Sequence, residues 1–231
     1  MKHPSKQLDV LYEDNHLLVV NKQAMLPTMG VADDQPSLIK IAKEYIREKY
    51  NKPGNVYLGV VSRLDAPVTG VTLLARTSKA ASRLSAAFRD RKTRKIYWAV
   101  VNGVLPEETD TLEHYLRKDD RHRKMHVTHA DCPDAQLARL SYRALKKSAE
   151  SSLVEIQLET GRKHQIRVQL AKLGFPIIGD RKYGSERPFS QGIALHAREL
   201  GVDHPTLGQS MTFTAPVPKY WKTDPELASL I

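Results

Sequence analysis

The sequence predicts an α+β fold with a largely antiparallel mixed sheet, and three observations carry that reading. Short runs of branched apolar residues and stretches of alternating polarity recur along the chain, as strands require. Two segments place apolar side chains at helical spacing. Helices and strands do not alternate in the regular βαβ manner of a parallel sheet. At 231 residues the chain is long for one ordinary domain and short for two, and it is read as a single domain over residues 1–231.

The run from His16 to Asn21 is short and rich in branched apolar residues, which suits a buried strand. A loop with Pro27, Gly30 and Pro36 follows. Leu38, Ile41, Ala42, Tyr45 and Ile46 then fall at helical spacing, with Ser37 placed to accept a backbone N–H as N-cap. Pro53 and Gly54 end that helix. Tyr57 to Val61 and Gly70 to Ala75 read as strands. A helix is expected from Ser78 to Arg89, with Ala81, Leu84 and Phe88 on its apolar face. Ile96 to Val101 returns as a strand. Residues 104–138 are polar and are read as an irregular, exposed insertion. Alternation at Leu140, Tyr142 and Ala144, and at Val154, Ile156 and Leu158, predicts half-buried antiparallel strands. Ile166, Leu170 and Leu173 mark a helix stopped by Gly174. Late strands are expected near Ile193 to Ala197 and Met211 to Ala215.

Thirty-six Lys and Arg against 26 Asp and Glu leave a formal charge of +10. Such a balance predisposes a protein towards polyanions. The charge is clustered. Arg76, Lys79, Arg83, Arg89, Arg91, Lys92, Arg94 and Lys95 face only Asp90 over their stretch, and Arg117, Lys118, Arg121, Arg123 and Lys124 form a second group. A single cysteine, Cys132, excludes an intrachain disulfide and points to a reducing compartment. Met1-Lys2-His3-Pro4-Ser5-Lys6 has no apolar continuation of the secretory type. No run approaches the ~20 apolar residues that span a bilayer, so no membrane partner is expected. The protein is read as cytoplasmic if its source is bacterial.

Several motifs fall in a fixed order. Tyr12-Glu13-Asp14-Asn15-His16-Leu17-Leu18-Val19-Val20-Asn21-Lys22 comes first, then Val60-Val61-Ser62-Arg63-Leu64-Asp65 with Gly70. Lys95-Ile96-Tyr97-Trp98-Ala99-Val100-Val101-Asn102-Gly103 follows. Thr160-Gly161-Arg162-Lys163-His164-Gln165-Ile166-Arg167-Val168 continues through Gly179-Asp180 to Tyr183-Gly184, and the set closes with His204-Pro205 and Phe213 to Pro218. Together they resemble the catalytic core of the RluA-type pseudouridine synthases from about Leu11 to Pro218. That resemblance implies one catalytic domain with a long bent sheet and an RNA cleft across it. It also implies isomerisation of a uridine within ribosomal or transfer RNA, with no cofactor. Many relatives carry an S4-type RNA-binding domain at the N-terminus, and with about ten residues before the first family strand none is expected here.

The reaction must break C1′–N1, turn the freed uracil and join its C5 to C1′. A carboxylate suits the first step, by attacking C1′ or by taking the 2′ proton, with precedent in retaining glycosidases. Asp65 matches the family's carboxylate, although a lone loop aspartate is ordinarily a cap for backbone N–H groups. Arg167 matches the basic residue paired with it, a cation that keeps a buried carboxylate ionised. Tyr97 matches the tyrosine that stacks on the extruded base. Arg63 resembles the arginine that enters the RNA where the target base has left. Ile166 resembles the apolar wall beside the uracil, and Arg162 and Lys163 are candidate phosphate contacts.

Three segments depart from the family pattern. Ser62 stands where His usually precedes Arg-Leu-Asp, Ala66-Pro67-Val68-Thr69-Gly70 replaces the usual sequence after Asp, and Lys22-Gln23-Ala24-Met25 replaces a turn with Pro and Gly. His122, His126, His129 and Cys132 fit no familiar zinc spacing, so no metal is expected. Two rival readings remain open: an RNA-binding protein of this fold without isomerase activity, and a glycoside hydrolase, which would need two carboxylates flanking a sugar. The expected substrate is an RNA stem-loop, whose bases are extruded without breaking pairs. Oligomeric state stays open.

Overall fold

A computed structural model describes residues 8–231, so the opening hexapeptide read above lies outside the described residues. The chain divides into two compact units, Met1–Arg94 with Ala197–Pro216, and Lys95–His196 with Val217–Ile231. The described residues hold eleven strands and four α-helices, in the α+β class that the sequence predicts.

In the first unit, β1 (Val10–Glu13) and β2 (Leu17–Lys22) form a hairpin. Its turn is tied by Asp14, whose Oδ1 accepts the His16 and Leu17 backbone N–H groups, both at 2.7 Å. The Tyr12 hydroxyl donates to Asp14 Oδ2, which also faces His204 Nε2 at 2.9 Å. β2 pairs antiparallel with β4 (Thr69–Ala75), from Leu17 opposite Ala75 to Lys22 opposite Gly70. Both strands are covered on both faces, which is why they read as unbroken apolar runs. Leu17, Val19, Val71 and Leu73 pack with Ala80 and Leu84 of α2 (Ser78–Arg89). Leu18, Val20 and Leu74 pack with Leu38, Ala42 and Ile46 of α1 (Leu38–Lys49).

Thr77 caps α2 by accepting the Ala80 N–H at 3.1 Å. The cap predicted at Ser37 is different: its backbone is extended, but its hydroxyl makes no cap bond and lies buried without a described partner. The strand expected over Tyr57 to Val61 shrinks to β3 (Gly59–Val60), paired on β4. Val56 and Leu58 are instead core residues under α1, which is what their apolar pattern records. Gly70, with φ of +113°, sits so close to the Ala197 backbone that an added Cβ would lie 2.2 Å from its carbonyl oxygen.

The second unit is an antiparallel sheet in the order β5-β9-β8-β6-β7. Its strands are β5 (Arg94–Asn102, of which Arg94 belongs to the first unit), β6 (Thr109–Asp119), β7 (Lys124–Thr128), β8 (Gln136–Lys147) and β9 (Ser151–Leu158). The irregular insertion expected over 104–138 is therefore corrected to two paired strands and the start of a third. Leu112, Leu116, Met125 and Ala138 point inward while charged residues point out, and that high polar content masks the alternation. α3 (Gln165–Lys172) lies on this sheet, with Val168 against Leu116, Met125 and Ala138. Gln169 Nε2 donates to the Leu112 and Ala138 carbonyls. Gly174 follows α3 with φ of +94°, the left-handed stop that the sequence predicts.

The first late strand starts two residues later than expected and runs six further, as β10 (Leu195–Asp203), while the second is shifted by one residue, as β11 (Ser210–Thr214); the two pair antiparallel. The short helix α4 (Pro225–Leu230) is capped by Asp224. No helix is long and apolar enough to cross a membrane.

Candidate active site

Asp65 lies in the loop between β3 and β4, partly accessible, and its carbonyl accepts the Val68 N–H at 3.0 Å to close a turn. The residues on either side of it are held from below. Thr28 Oγ1 donates to the Leu64 carbonyl at 2.8 Å and accepts the Leu64 N–H at 3.2 Å. Lys22, at the end of β2, is 1% exposed, and its Nζ donates to the carbonyls of Gln23, Leu26 and Ala66 at 3.0, 2.8 and 3.1 Å. All three donors of the ammonium thus have acceptors, the arrangement a buried charge needs. Burial pushes the Lys22 ammonium down to about 7, against the pull of the Asp65 carboxylate. Arg63, two residues before Asp65, is exposed.

Met25 occupies the position where the related motif has glycine, and it does so with φ of +61°. The turn after Lys22 keeps its left-handed backbone although the residue that favours it is absent. The side chain is 65% exposed, so packing does little to offset that strain.

In the second unit, Tyr97 is half-buried on β5 opposite Ile156. The other candidates cluster at the start of α3. Arg167 is buried, and its guanidinium forks onto Asp180, with Nε donating to Oδ2 at 2.7 Å and Nη2 to Oδ1 at 2.8 Å. The same guanidinium lies 5.0 Å from the centre of the Tyr183 ring. Tyr183 is fixed in turn, because its hydroxyl accepts the Met125 N–H at 2.9 Å and meets His164 Nδ1 at 2.7 Å. Arg167 therefore presents a rigid cation. Ile166 is buried, and Lys163 is exposed. Arg162 is half-buried, with Nε on the Leu137 carbonyl at 3.0 Å, so part of its capacity serves the fold.

Two groupings result: Arg63 and Asp65 with Lys22 and Thr28 in the first unit, and Arg162, Lys163, Ile166 and Arg167 with Asp180 and Tyr183 in the second. Lys22, Thr28, Asp180 and Tyr183 are additions to the residues picked from sequence. The signal for Lys22 is a charged residue ending an apolar strand. Asp180 and Tyr183 stand inside a matched motif but have no chemistry of their own to flag them.

The basic stretches divide by role. Lys79, Arg89, Arg91 and Lys92 are exposed, as are Arg117, Lys118, Arg121, Arg123 and Lys124 at the β6–β7 hairpin. Arg76 leaves the first group, because it is an ion pair with Glu13 at 3.0 Å, stacked on Tyr50 and only 9% exposed. Arg94 pairs with Glu199. His122 is bound to Asp119, and among the described residues no group of three or more His, Cys, Asp or Glu is arranged to hold a metal ion.

An aspartate and an exposed arginine on a tied loop, in a chain with clusters of exposed basic side chains, fit a protein that meets a polyanion. The comparisons agree. A family profile described as RNA pseudouridylate synthase matches residues 16–172. An uncharacterized RNA pseudouridine synthase of Bacillus subtilis is 34% identical over 92% of this chain and 70% of its own. Ribosomal large subunit pseudouridine synthase D of Pseudomonas aeruginosa is 32% identical over 92% of this chain and 69% of its own. A Chloroflexus aurantiacus relative, also an uncharacterized RNA pseudouridine synthase, is 43% identical over 71% of this chain, which spans only 52% of that protein. The solved structure of human RNA pseudouridylate synthase domain containing 4 superposes with a TM-score of 0.78 at 28% identity, over 94% of this chain and 92% of its own. The chain belongs to the RNA pseudouridylate synthase family, in its RluA-type branch. Its class of reaction is isomerisation.

Proposed function

We propose that this protein converts specific uridines of ribosomal RNA to pseudouridine, with the Asp65 carboxylate breaking the C1′–N1 bond. The observation that carries the proposal is the Asp65 loop, a matched motif held on both sides of the aspartate by buried side chains. Asp65 attacks C1′ or takes the 2′ proton, the uracil is turned, and its C5 bonds to C1′. The proton lost from C5 balances the one gained at N1, so no electrons are exchanged with an outside group. Tyr97 offers its ring to the extruded base and its hydroxyl to the C5 proton. Arg167, oriented by Asp180, takes the part of the family's basic residue. Ile166 lines the uracil, Arg63 enters the vacated stack, and Lys163 and Arg162 contact phosphates.

Both units belong to one catalytic domain in this reading, because the family match draws on each. Ribosomal RNA is preferred to transfer RNA because relatives such as the Pseudomonas aeruginosa protein bear that substrate in their names. The target is a stem-loop reached in the cytoplasm. Ser62 in the usual histidine position favours a second reading, an RNA-binding protein without turnover. A pseudouridine map of cellular RNA with and without the gene tests both. Loss of one or a few sites is expected, and an unchanged map would overturn the enzymatic reading.

A further inference from the structure

We infer that Met25 and Met29 form an apolar contact for an unstacked RNA base neighbouring the target uridine, and so help to choose the substrate. The inference rests on the reading of Asp65 as the reacting carboxylate of an RNA-modifying site and adds a recognition element to it. Both methionines come from the segment joining β2 to α1, and they are 65% and 46% exposed. Hydrogen bonds place that segment against the Asp65 loop. The Leu26 carbonyl, next to Met25, shares the Lys22 ammonium with the Ala66 carbonyl, at 2.8 and 3.1 Å. Thr28, next to Met29, bonds both the N–H and the carbonyl of Leu64. Each methionine is thus one residue from an anchor, and each anchor is fastened, directly or through the ammonium, one residue from Asp65. The Leu38 and Ile39 N–H groups donate to the Pro27 and Thr28 carbonyls at 2.8 and 3.1 Å, so Met29 follows a fixed backbone.

A scattered apolar side chain on a surface needs no special explanation. Met25 differs because it is also strained. It holds φ of +61°, where glycine sits without strain, and its exposed side chain gains little packing in return. Strain kept at the edge of a reacting group points to a use for the side chain. The use has to suit an unbranched thioether with no charge and no hydrogen-bond donor, which excludes a phosphate contact. It suits the face of a nucleobase, because the polarisable sulfur packs well on an aromatic ring. Proteins that unstack nucleic acids insert methionine, among other apolar residues, between bases. Exposed Arg63, two residues before Asp65, gives the same edge a positive charge, as an RNA occupant requires. Ser62, Ala66 and Pro67 depart from the family pattern on the same loop, so residues particular to this chain gather at this rim. An RNA loop, whose bases are already splayed, is the occupant that fits it.

The test measures RNA binding, thermal unfolding and single-turnover pseudouridine formation for Met25→Gly, Met25→Ala and Met29→Ala on a ribosomal RNA stem-loop that the parent binds. The same stem-loop is also made with an abasic site at each loop position in turn. Met25→Gly should melt no lower than the parent and yet bind the intact RNA about 3- to 10-fold more weakly, a split that a purely structural residue does not give. Met25→Ala and Met29→Ala should weaken binding to a similar extent. On the RNA lacking the contacted base, the parent should lose the same factor and the variants nothing further, because the contact is then already gone. That position should adjoin the uridine that is modified. Parent-like binding by any of the three variants, or losses that multiply on every abasic RNA, would overturn the inference. So would unchanged binding to naked RNA with weaker binding to ribosomal particles, which would assign the methionines to a protein partner. A parent that binds but forms no pseudouridine brings down the enzymatic reading instead, and the binding cycle still decides for the methionines.

Discussion

Replacing Asp180 by alanine should be among the most destabilising single changes in the second unit. The fork joins Arg167 Nε and Nη2 to both Asp180 oxygens at 2.7 and 2.8 Å, and the side chains are only 6% and 1% exposed. Removing the carboxylate takes both fork bonds from a buried guanidinium, and breaking a buried pair in this way costs about 3–5 kcal/mol. Proteins as a class have ~5–15 kcal/mol of net stability, so that is a large share. At ~2–4 °C per kcal/mol for a chain of this size, the melting temperature should fall by roughly 6–20 °C. Circular dichroism on heating measures it, with Asp120→Ala as control. Asp120 pairs with Lys118 at the exposed hairpin, 80% and 55% accessible, where a pair contributes about 0–1 kcal/mol. Adding Arg167→Met to Asp180→Ala should recover part of the loss, because no buried charge then remains at that position. If Asp180→Ala melted within about 2 °C of the parent, the fork would not be the buried, coupled pair that its geometry describes.

Met25→Gly should raise stability by up to about 1 kcal/mol, because glycine adopts the left-handed backbone without the strain Met25 carries at φ of +61°. A lower midpoint in urea would contradict this. For Glu13 and Asp14, burial works to raise the carboxyl. It is outweighed in Glu13 by bonds from Lys49, Tyr50 and Tyr45, and in Asp14 by the His16 and Leu17 N–H groups with Tyr12 and His204. Both folded values are therefore lower than the ordinary 4.5 and 3.8, so their stabilisation is full above those values and lost as pH falls below them. Glu13→Gln should accordingly flatten the acid limb of a stability–pH curve, and a parallel curve would refute the assignment. Tyr97→Phe keeps the ring and removes the hydroxyl, so RNA binding should persist while the single-turnover rate falls; an unchanged rate would reduce Tyr97 to packing.

The elements legible in the sequence are those whose pattern has one cause. α2 spans the predicted Ser78–Arg89 because its apolar face, its cap at Thr77 and its boundaries all follow from local spacing. β2 and β4 are legible as apolar runs because each is covered on both faces. The β6–β7 hairpin is hidden, since Leu112, Leu116 and Met125 are its few inward residues among many charges. Tyr57 to Val61 shows the opposite error: only Gly59 and Val60 pair as strand, while Leu58 is core without being strand, because burial under α1 needs no ladder. At the site, Asp65 and Arg167 are visible through their motifs, whereas Asp180 and Thr28 act by hydrogen bonds between segments distant in sequence. Met25 is the instructive case. The missing glycine suggests an altered turn, yet the left-handed conformation persists because Lys22, bonded to the Gln23 and Leu26 carbonyls on either side, closes the turn around it.

The central claim, that the Asp65 carboxylate performs the chemistry, is tested most directly by Asp65→Asn in a single-turnover assay with enzyme in excess over an rRNA stem-loop that the parent modifies. Asparagine matches the shape of aspartate but neither attacks C1′ nor takes the 2′ proton, while the Thr28 and Lys22 bonds to Leu64 and Ala66 are left in place. The expected result is RNA binding and thermal stability close to the parent's with no pseudouridine above background. Pseudouridine formed by Asp65→Asn at a rate comparable to the parent's would contradict the claim.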